Sequence, residues 1–328
     1  MQCPHCGGGL SLVATDYQQA HTVIRGELDL LHWRTVYVTE KASTGAWSPS
    51  WAKTSESQLN RFLDSGNELD RKGVAAFREE LVGEGLKVKT INDYLVTLGS
   101  FAKYLVNRGE LEANPVTGQT LKTSRDPQAE RLAFQPDEVA ALLAYVDSHA
   151  PKEGYKLFLR TMAYTGARNE EVAQLRPRDV YVEGEVRVFD MATLDESQKR
   201  KTAASRRLIP VHSSLEGLFE TVPNPFDNLF SFVPSGGTTN PRYCAAASKW
   251  INRHAIKPLK KAGKIRDDPR LVLYSLRHSV TTQLKHKGVA ESLIAELVGH
   301  TNSSMTTGRY GKRYPVEQLK GVVEKISW

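Results

Sequence analysis

Five short segments of this chain hold residue types that could work on one phosphate. The first is Thr165-Gly166-Ala167-Arg168, with Glu171 three residues further on. A basic run, Gln198 to Pro210, surrounds Lys201. Tyr274-Ser275-Leu276-Arg277-His278 follows, then Gly299-His300, then Arg309-Tyr310 within the stretch Thr306 to Tyr314. Covalent cleavage of a phosphodiester needs a nucleophile, positive charge on the non-bridging oxygens, a proton donor for the leaving oxygen and fixed geometry. A guanidinium binds two phosphate oxygens with one planar fork and keeps its charge. Lysine can protonate an alkoxide, and histidine can shuttle a proton or donate a hydrogen bond. A phenol near cations can attack phosphorus and hold it as an ester, conserving the bond energy for re-ligation. The sequence has no Gly-rich phosphate loop with a lysine and no carboxylate cluster suited to two metals. The chemistry therefore calls for no cofactor and no metal.

Each segment alone has an ordinary explanation. Most arginines are surface or ion-pair residues. Lys201 stands among Lys199, Arg200, Arg206 and Arg207, which a solvated basic loop would also contain. His300 after Gly299 is compatible with a helix C-cap, and Tyr310 has a rival in Tyr314. The order and spacing of all five together carry the argument.

In that order and spacing the segments resemble the tyrosine recombinases, the phage integrase family. The resemblance covers about residues 53–328. It implies that Arg168 and Arg277 are the two phosphate-clamping arginines and that Glu171 braces them. It implies that Lys201 is the hairpin lysine that protonates the 5′ oxygen. Lys201 precedes Pro210 by nine residues within a KT-x-x-S-x-R-x-x-P pattern, with Lys199 its nearest competitor. His300 is then the late histidine, and Tyr310, ten residues later, the nucleophile. One position departs from the family pattern: Tyr274 stands where a histidine is usual, three residues before the second arginine. A phenol can bond a phosphate oxygen but is a poorer proton shuttle near neutral pH. His278 is a candidate to compensate.

The elements that must position these residues follow from apolar spacing. The fold class is mainly α with a small antiparallel β-sheet. Residues 1–50 form an extension of unclear fold, with a possible strand over Thr35 to Thr39 and a linker from Ala42 to Pro49. Cys3 and Cys6 have the spacing of half a zinc site, but no second pair accompanies them, so no metal is expected there. Residues 51–120 read as a helical module. Ile91, Leu95, Leu98, Phe101, Ala102 and Leu105 recur at three and four, after a candidate N-cap at Thr90 and before a stop at Gly109. Shorter helices are expected over Ser57–Leu63 and Val74–Leu81. Residues 121–130 are a polar linker.

The larger domain spans 131–328. It begins with a helix at Pro136 and continues with a buried helix over Tyr155–Tyr164. A hairpin turns at Glu183-Gly184, and a strand ends at Pro210. Helices are expected over Tyr243–Lys261, Ser275–Lys287, Ser292–Val298 and Pro315–Ile326. By resemblance the first module is the core-binding domain and the second the catalytic domain. The terminal helix could dock in cis or on a neighbouring protomer.

Composition agrees with this picture and excludes others. The chain has 328 residues, enough for about two domains. Lys plus Arg number 44 against 37 acids, a net charge of +7 that favours a polyanionic partner. Basic residues concentrate from Ile251 to Lys287 and from Thr301 to Val316, where acids are scarce. Three cysteines are too few for a disulfide framework. No apolar run spans a membrane and no signal peptide is evident, so a cytoplasmic, nucleoid-associated protein is expected. The partners implied by resemblance are duplex DNA with inverted core sites, three further copies in a tetramer, and DNA-bending or directionality factors. Integration, multimer resolution and transposition remain open as roles, as do a relaxing topoisomerase and a catalytically silent DNA-binding protein.

Overall fold

The computed structural model describes residues 28–122, 132–191, 207–217, 228–234, 242–300 and 313–328. The chain divides into two compact units between Ser124 and Arg125.

Among the described residues the first unit has four helices: α1 (Leu30–Ser43), α2 (Pro49–Asp64), α3 (Arg71–Gly83) and α4 (Val88–Asn107). Three of them start on a side-chain cap. Asp29, Ser48 and Asp70 each accept a hydrogen bond from a backbone N–H three residues on, satisfying donors that the first turn leaves unpaired. Leu59, Phe62, Phe77, Ile91, Leu95, Leu98 and Phe101 fill the core.

The unit begins earlier than residue 51. The expected strand over Thr35 to Thr39 is helix, in the middle of α1. Four β-branched residues favour a strand locally, but packing overrides so weak a preference. Tyr37 is fully buried, its ring against Phe101 and Tyr104 and its hydroxyl 2.8 Å from Ser100 Oγ. The linker expected from Ala42 to Pro49 is likewise structured. Ala42 and Ser43 finish α1, Trp47 packs edge-on to Tyr37, and Ser48 caps α2. α4 starts at Val88, not after Thr90. It ends just before Gly109, whose φ of +78° suits glycine.

The second unit wraps helices around α6. α5 (Pro136–His149) begins where Glu138 accepts from the Gln135 N–H at 2.8 Å. α6 (Glu153–Thr165) is buried through most of its length. A one-turn helix α7 (Asn169–Ala173) leads to β1 (Val180–Glu183) and β2 (Val186–Asp190). These pair antiparallel, Val180 opposite Phe189 and Glu183 opposite Val186, across a two-residue turn at Gly184. β3 (Leu208–Pro210) pairs with β2 on its other side, giving the order β1-β2-β3.

The helix expected from Tyr243 to Lys261 is not uniform. α8 (Ala245–Trp250) widens into a π turn over Ile251–Ile256 and resumes as α9 (Lys257–Lys261). Pro258 has no N–H and crowds the carbonyl four residues back, and the wider turn accommodates it. α10 (Ser275–His286) packs on α6, and α11 (Glu291–Val298) follows.

α12 (Val316–Val323) packs over β3. Lys320 Nζ donates to Val211 O at 2.6 Å, and Glu324 accepts from the backbone and hydroxyl of Ser213 at 2.9 and 2.7 Å. Trp328 Nε1 donates to Ala163 O, tying the last residue to α6.

Candidate active site

The site is built where three helix ends meet. α6 ends at Gly166, which adopts φ +61° and directs the chain back toward α7. A side chain on Gly166 would press on Val280 and Val298, so glycine is required for space as well as for φ. Thr165 Oγ1 accepts from the Ala167 N–H and fixes the turn. Arg168 follows, capping α7, and its guanidinium donates to Glu171 Oε1 at 2.6 Å and to Gly299 O at 3.1 Å. Gly299 is the left-handed end of α11, with φ +73°. One arginine thus ties the start of α7 to the end of α11.

Arg277 enters from the first turn of α10. It is 3% exposed, and Nη1 donates to Gly166 O at 2.9 Å. Its Nη2 is buried with no hydrogen-bond partner among the described residues. Burial, then repulsion from Arg168, pulls the Arg277 pKa down to about 10. Two like charges therefore lie close enough to repel, and among the described residues Arg277 Nη2 has no acceptor. Such an arrangement is costly unless an anion completes it.

His300 follows Gly299, its N–H bonded to Ala295 O at 2.8 Å. The residue is exposed overall, yet partial burial of its ring, then Arg277 and Arg168, hold its pKa below the ordinary histidine value. Its neutral form is thereby favoured. Tyr274 precedes α10, half-buried, its ring edge-on to His278 at 5.8 Å between centroids. Tyr274 also lies close enough to Arg277 to act on its charge, and His278 close enough to act on His300. The position that departs from the family pattern is thus within the cluster.

Glu171 is the hub of a buried ion network. Burial alone would raise its pKa, but Arg207, then Arg168, overcome that and hold it below the ordinary carboxylate value. Arg207 Nη2 donates to Glu171 Oε2 at 3.0 Å and Nε to Leu297 O at 2.7 Å. Arg207 is 2% exposed. Sequence reasoning gave it no role of its own, although it is the arginine of the KT-x-x-S-x-R-x-x-P pattern. The available signal was its place immediately before β3, since a charge entering an apolar Leu-Ile-Pro strand must find an internal partner.

Of the residues singled out from sequence, the fold brings together Arg168, Glu171, Tyr274, Arg277, His278 and His300. Lys201, Lys199 and Tyr310 lie outside the described residues, as do Cys3 and Cys6. Tyr314 is described. Its hydroxyl is 2.8 Å from Ser292 Oγ at the start of α11, and its N–H donates to Glu296 at 3.2 Å. That end of α11 is about 10 Å from Gly299 at 1.5 Å rise per residue.

Comparison with known proteins agrees with this geometry. Residues 133–315 match the Phage integrase family. A tyrosine recombinase of Thermosipho africanus is 26% identical over 250 residues, covering 74% of this chain and 80% of that protein. Tyrosine recombinase XerA of Thermococcus onnurineus is 24% identical over 279 residues, covering 85% and 89%. Among solved structures, a lambda integrase dimer bound to a COC' core site aligns with TM-score 0.60 at 16% identity, covering 96% of this chain and 94% of that one. The Tn1549 transposon integrase, in complex with a circular intermediate DNA, aligns with TM-score 0.61 at 15% identity, covering 90% and 99%. At that identity the two structures establish a shared fold. The family match spans more than half of the chain and coincides with the unit that holds the arginine cluster, so the chain belongs to the phage integrase family and is a tyrosine-type site-specific recombinase, an enzyme that breaks and rejoins DNA.

Proposed function

We propose that Arg168, Arg277 and His300 hold the scissile phosphate of duplex DNA while Tyr310 attacks it. The tyrosine oxygen forms a bond to phosphorus as the bond to the 5′ oxygen breaks. Lys201 supplies the proton that leaves with that oxygen. His300, neutral beside two guanidinium groups, accepts the proton of the phenol. The products are a 3′-phosphotyrosyl link and a free 5′-hydroxyl. The 5′-hydroxyl of a partner strand then attacks the link, restores Tyr310 and exchanges strands. Tyr274 donates a hydrogen bond to a non-bridging oxygen, in place of the usual imidazole.

The observation that carries this reading is the buried, unfilled Nη2 of Arg277 beside the Arg168 guanidinium. A purely structural arginine at 3% exposure would use all its donors within the protein. Tyr310 is preferred to Tyr314 because the Tyr314 hydroxyl is engaged by Ser292, at the far end of α11 from Gly299.

DNA with paired inverted core sites is the substrate in this reading, and a tetramer of this chain is the assembly. The lambda integrase, solved as a tetramer bound to a Holliday junction, aligns with TM-score 0.59 over 93% of this chain. A DNA-bending or directionality factor completes the reading, with action at the nucleoid. Trapping in SDS tests the chemistry: Tyr310→Phe is expected to abolish a covalent DNA adduct that wild type forms, whereas adduct retained by that variant would refute the assignment.

A further inference from the structure

Arg207 is a fully buried cation whose strongest partners lie far from it in sequence. Its Nε donates to Leu297 O, in the last turn of α11, and its Nη2 to Glu171 Oε2, in α7. Glu171 in turn receives Arg168 Nη1 at 2.6 Å, and Arg168 Nη2 reaches Gly299 O at 3.1 Å. These bonds close a ring through three elements: the strand entry at β3, the start of α7 and the end of α11. Gly299 is held against the Arg207 guanidinium so closely that a Cβ there would lie 2.7 Å from Nη1. His300 is the next residue.

We propose that Arg207 is a positioning residue for strand cleavage: through Glu171 it sets the direction of the Arg168 fork, and through Leu297 and Gly299 it sets the place of His300. This rests on the proposed phosphate-clamping role of Arg168 and His300. The guanidinium can span both partners because its donors are fixed in one plane, whereas an ammonium is a single point of charge. A lysine at this position can neutralise Glu171 or bond Leu297 O, not both in the same geometry. An error of about 1 Å in the clamp is enough to cost roughly 100-fold in rate.

The test uses the full chain and sheared, nicked DNA of its source replicon, followed to an SDS-stable adduct. Rate constant and plateau are read separately at saturating DNA. A residue that only supports folding changes the plateau, because fewer molecules are active, and leaves the rate constant alone. The expected result is a rate constant lowered roughly 100-fold in Arg207→Met and at least 10-fold in Arg207→Lys, with Arg207→Lys keeping the plateau. DNA affinity should change less than about 3-fold, since Arg207 touches no phosphate in this reading. Arg207→Met combined with Glu171→Gln should lower Tm by less than the sum of the two single variants, because the pair acts as a unit. Unchanged rate constants with a reduced plateau, or strictly additive Tm shifts, would overturn the proposal. The Tm cycle needs no turnover, so absence of cleavage by the wild type would remove the proposed reaction while this cycle still decides the brace.

Discussion

At the scale of single residues, the cluster is a set of charges that the fold alone does not neutralise. Arg168 has Glu171, but among the described residues Arg277 has a carbonyl and an unfilled donor. Replacing Arg277 by lysine keeps a charge and loses the fork. Adduct formation is expected to fall about 100- to 1,000-fold, the size of effect seen when one preorganised donor is lost, with DNA binding changed far less. Equal losses in both would show Arg277 to be a general DNA contact. The pH dependence follows from His300. Its pKa lies below the ordinary histidine value, so the free imidazole persists to lower pH than an exposed histidine would allow. The acid limb of the cleavage rate should therefore fall below about pH 6.5, the unperturbed value, and His300→Gln should remove it. Arg168, Arg277 and His300 were legible in the sequence because each follows or flanks a motif glycine or a helix start. The role of Arg207 was not, because its place before β3 signals burial but not which partners across space, Glu171 and Leu297 O, receive it.

At the scale of elements, short-range signals located most helices, and tertiary packing decided where they failed. Thr35 to Thr39 is β-branched and still helical, because Trp33 and Tyr37 must face the helical core. The extra helix α1 could not be read from local preference alone. The π turn over Ile251–Ile256 was similarly hidden, although Pro258 marks where a regular helix must give way. The C-terminal helix yields a prediction of its own. Burial opposes ionisation of Glu324, but hydrogen bonds from Ser213 and Lys320 pull its pKa to about 2. A carboxylate whose folded pKa is depressed stabilises the fold above its unfolded pKa, about 4.3, and loses that contribution as pH falls toward 2. Glu324→Gln should thus lower Tm at pH 7 and have a shrinking effect as the pH drops from about 4 to 2. A Tm difference that stays constant over that range would contradict this role of Glu324. His212 adds to the same loss on acidification. Burial lowers its pKa, and its ring is packed on Tyr164 and bonded to Ile326 O, so protonation below about pH 6.5 should loosen the same helix end.

At the scale of the whole molecule, a net charge of +7 on 328 residues and two compact units fit an enzyme whose affinity comes from phosphate contacts. Binding should weaken steeply with salt, by roughly 1,000-fold between 50 and 200 mM if six phosphates are neutralised. A shallow slope would mean that few phosphates are engaged. Among the described residues no helix is long and apolar enough to cross a membrane. The sequence carried the division into two units and the chemistry of the second. Its silence on the DNA site is physical, since base readout depends on side chains whose groove positions are set only in a complex. The central claim is that the arginine clamp serves a tyrosine nucleophile ten residues beyond His300. The most direct measurement is to incubate wild type, Tyr310→Phe and Tyr314→Phe with nicked, sheared replicon DNA, denature in SDS and sequence whatever stays attached. An adduct in wild type and Tyr314→Phe that is absent in Tyr310→Phe, mapping to one site, is the predicted result. An adduct that survives in Tyr310→Phe would contradict the account.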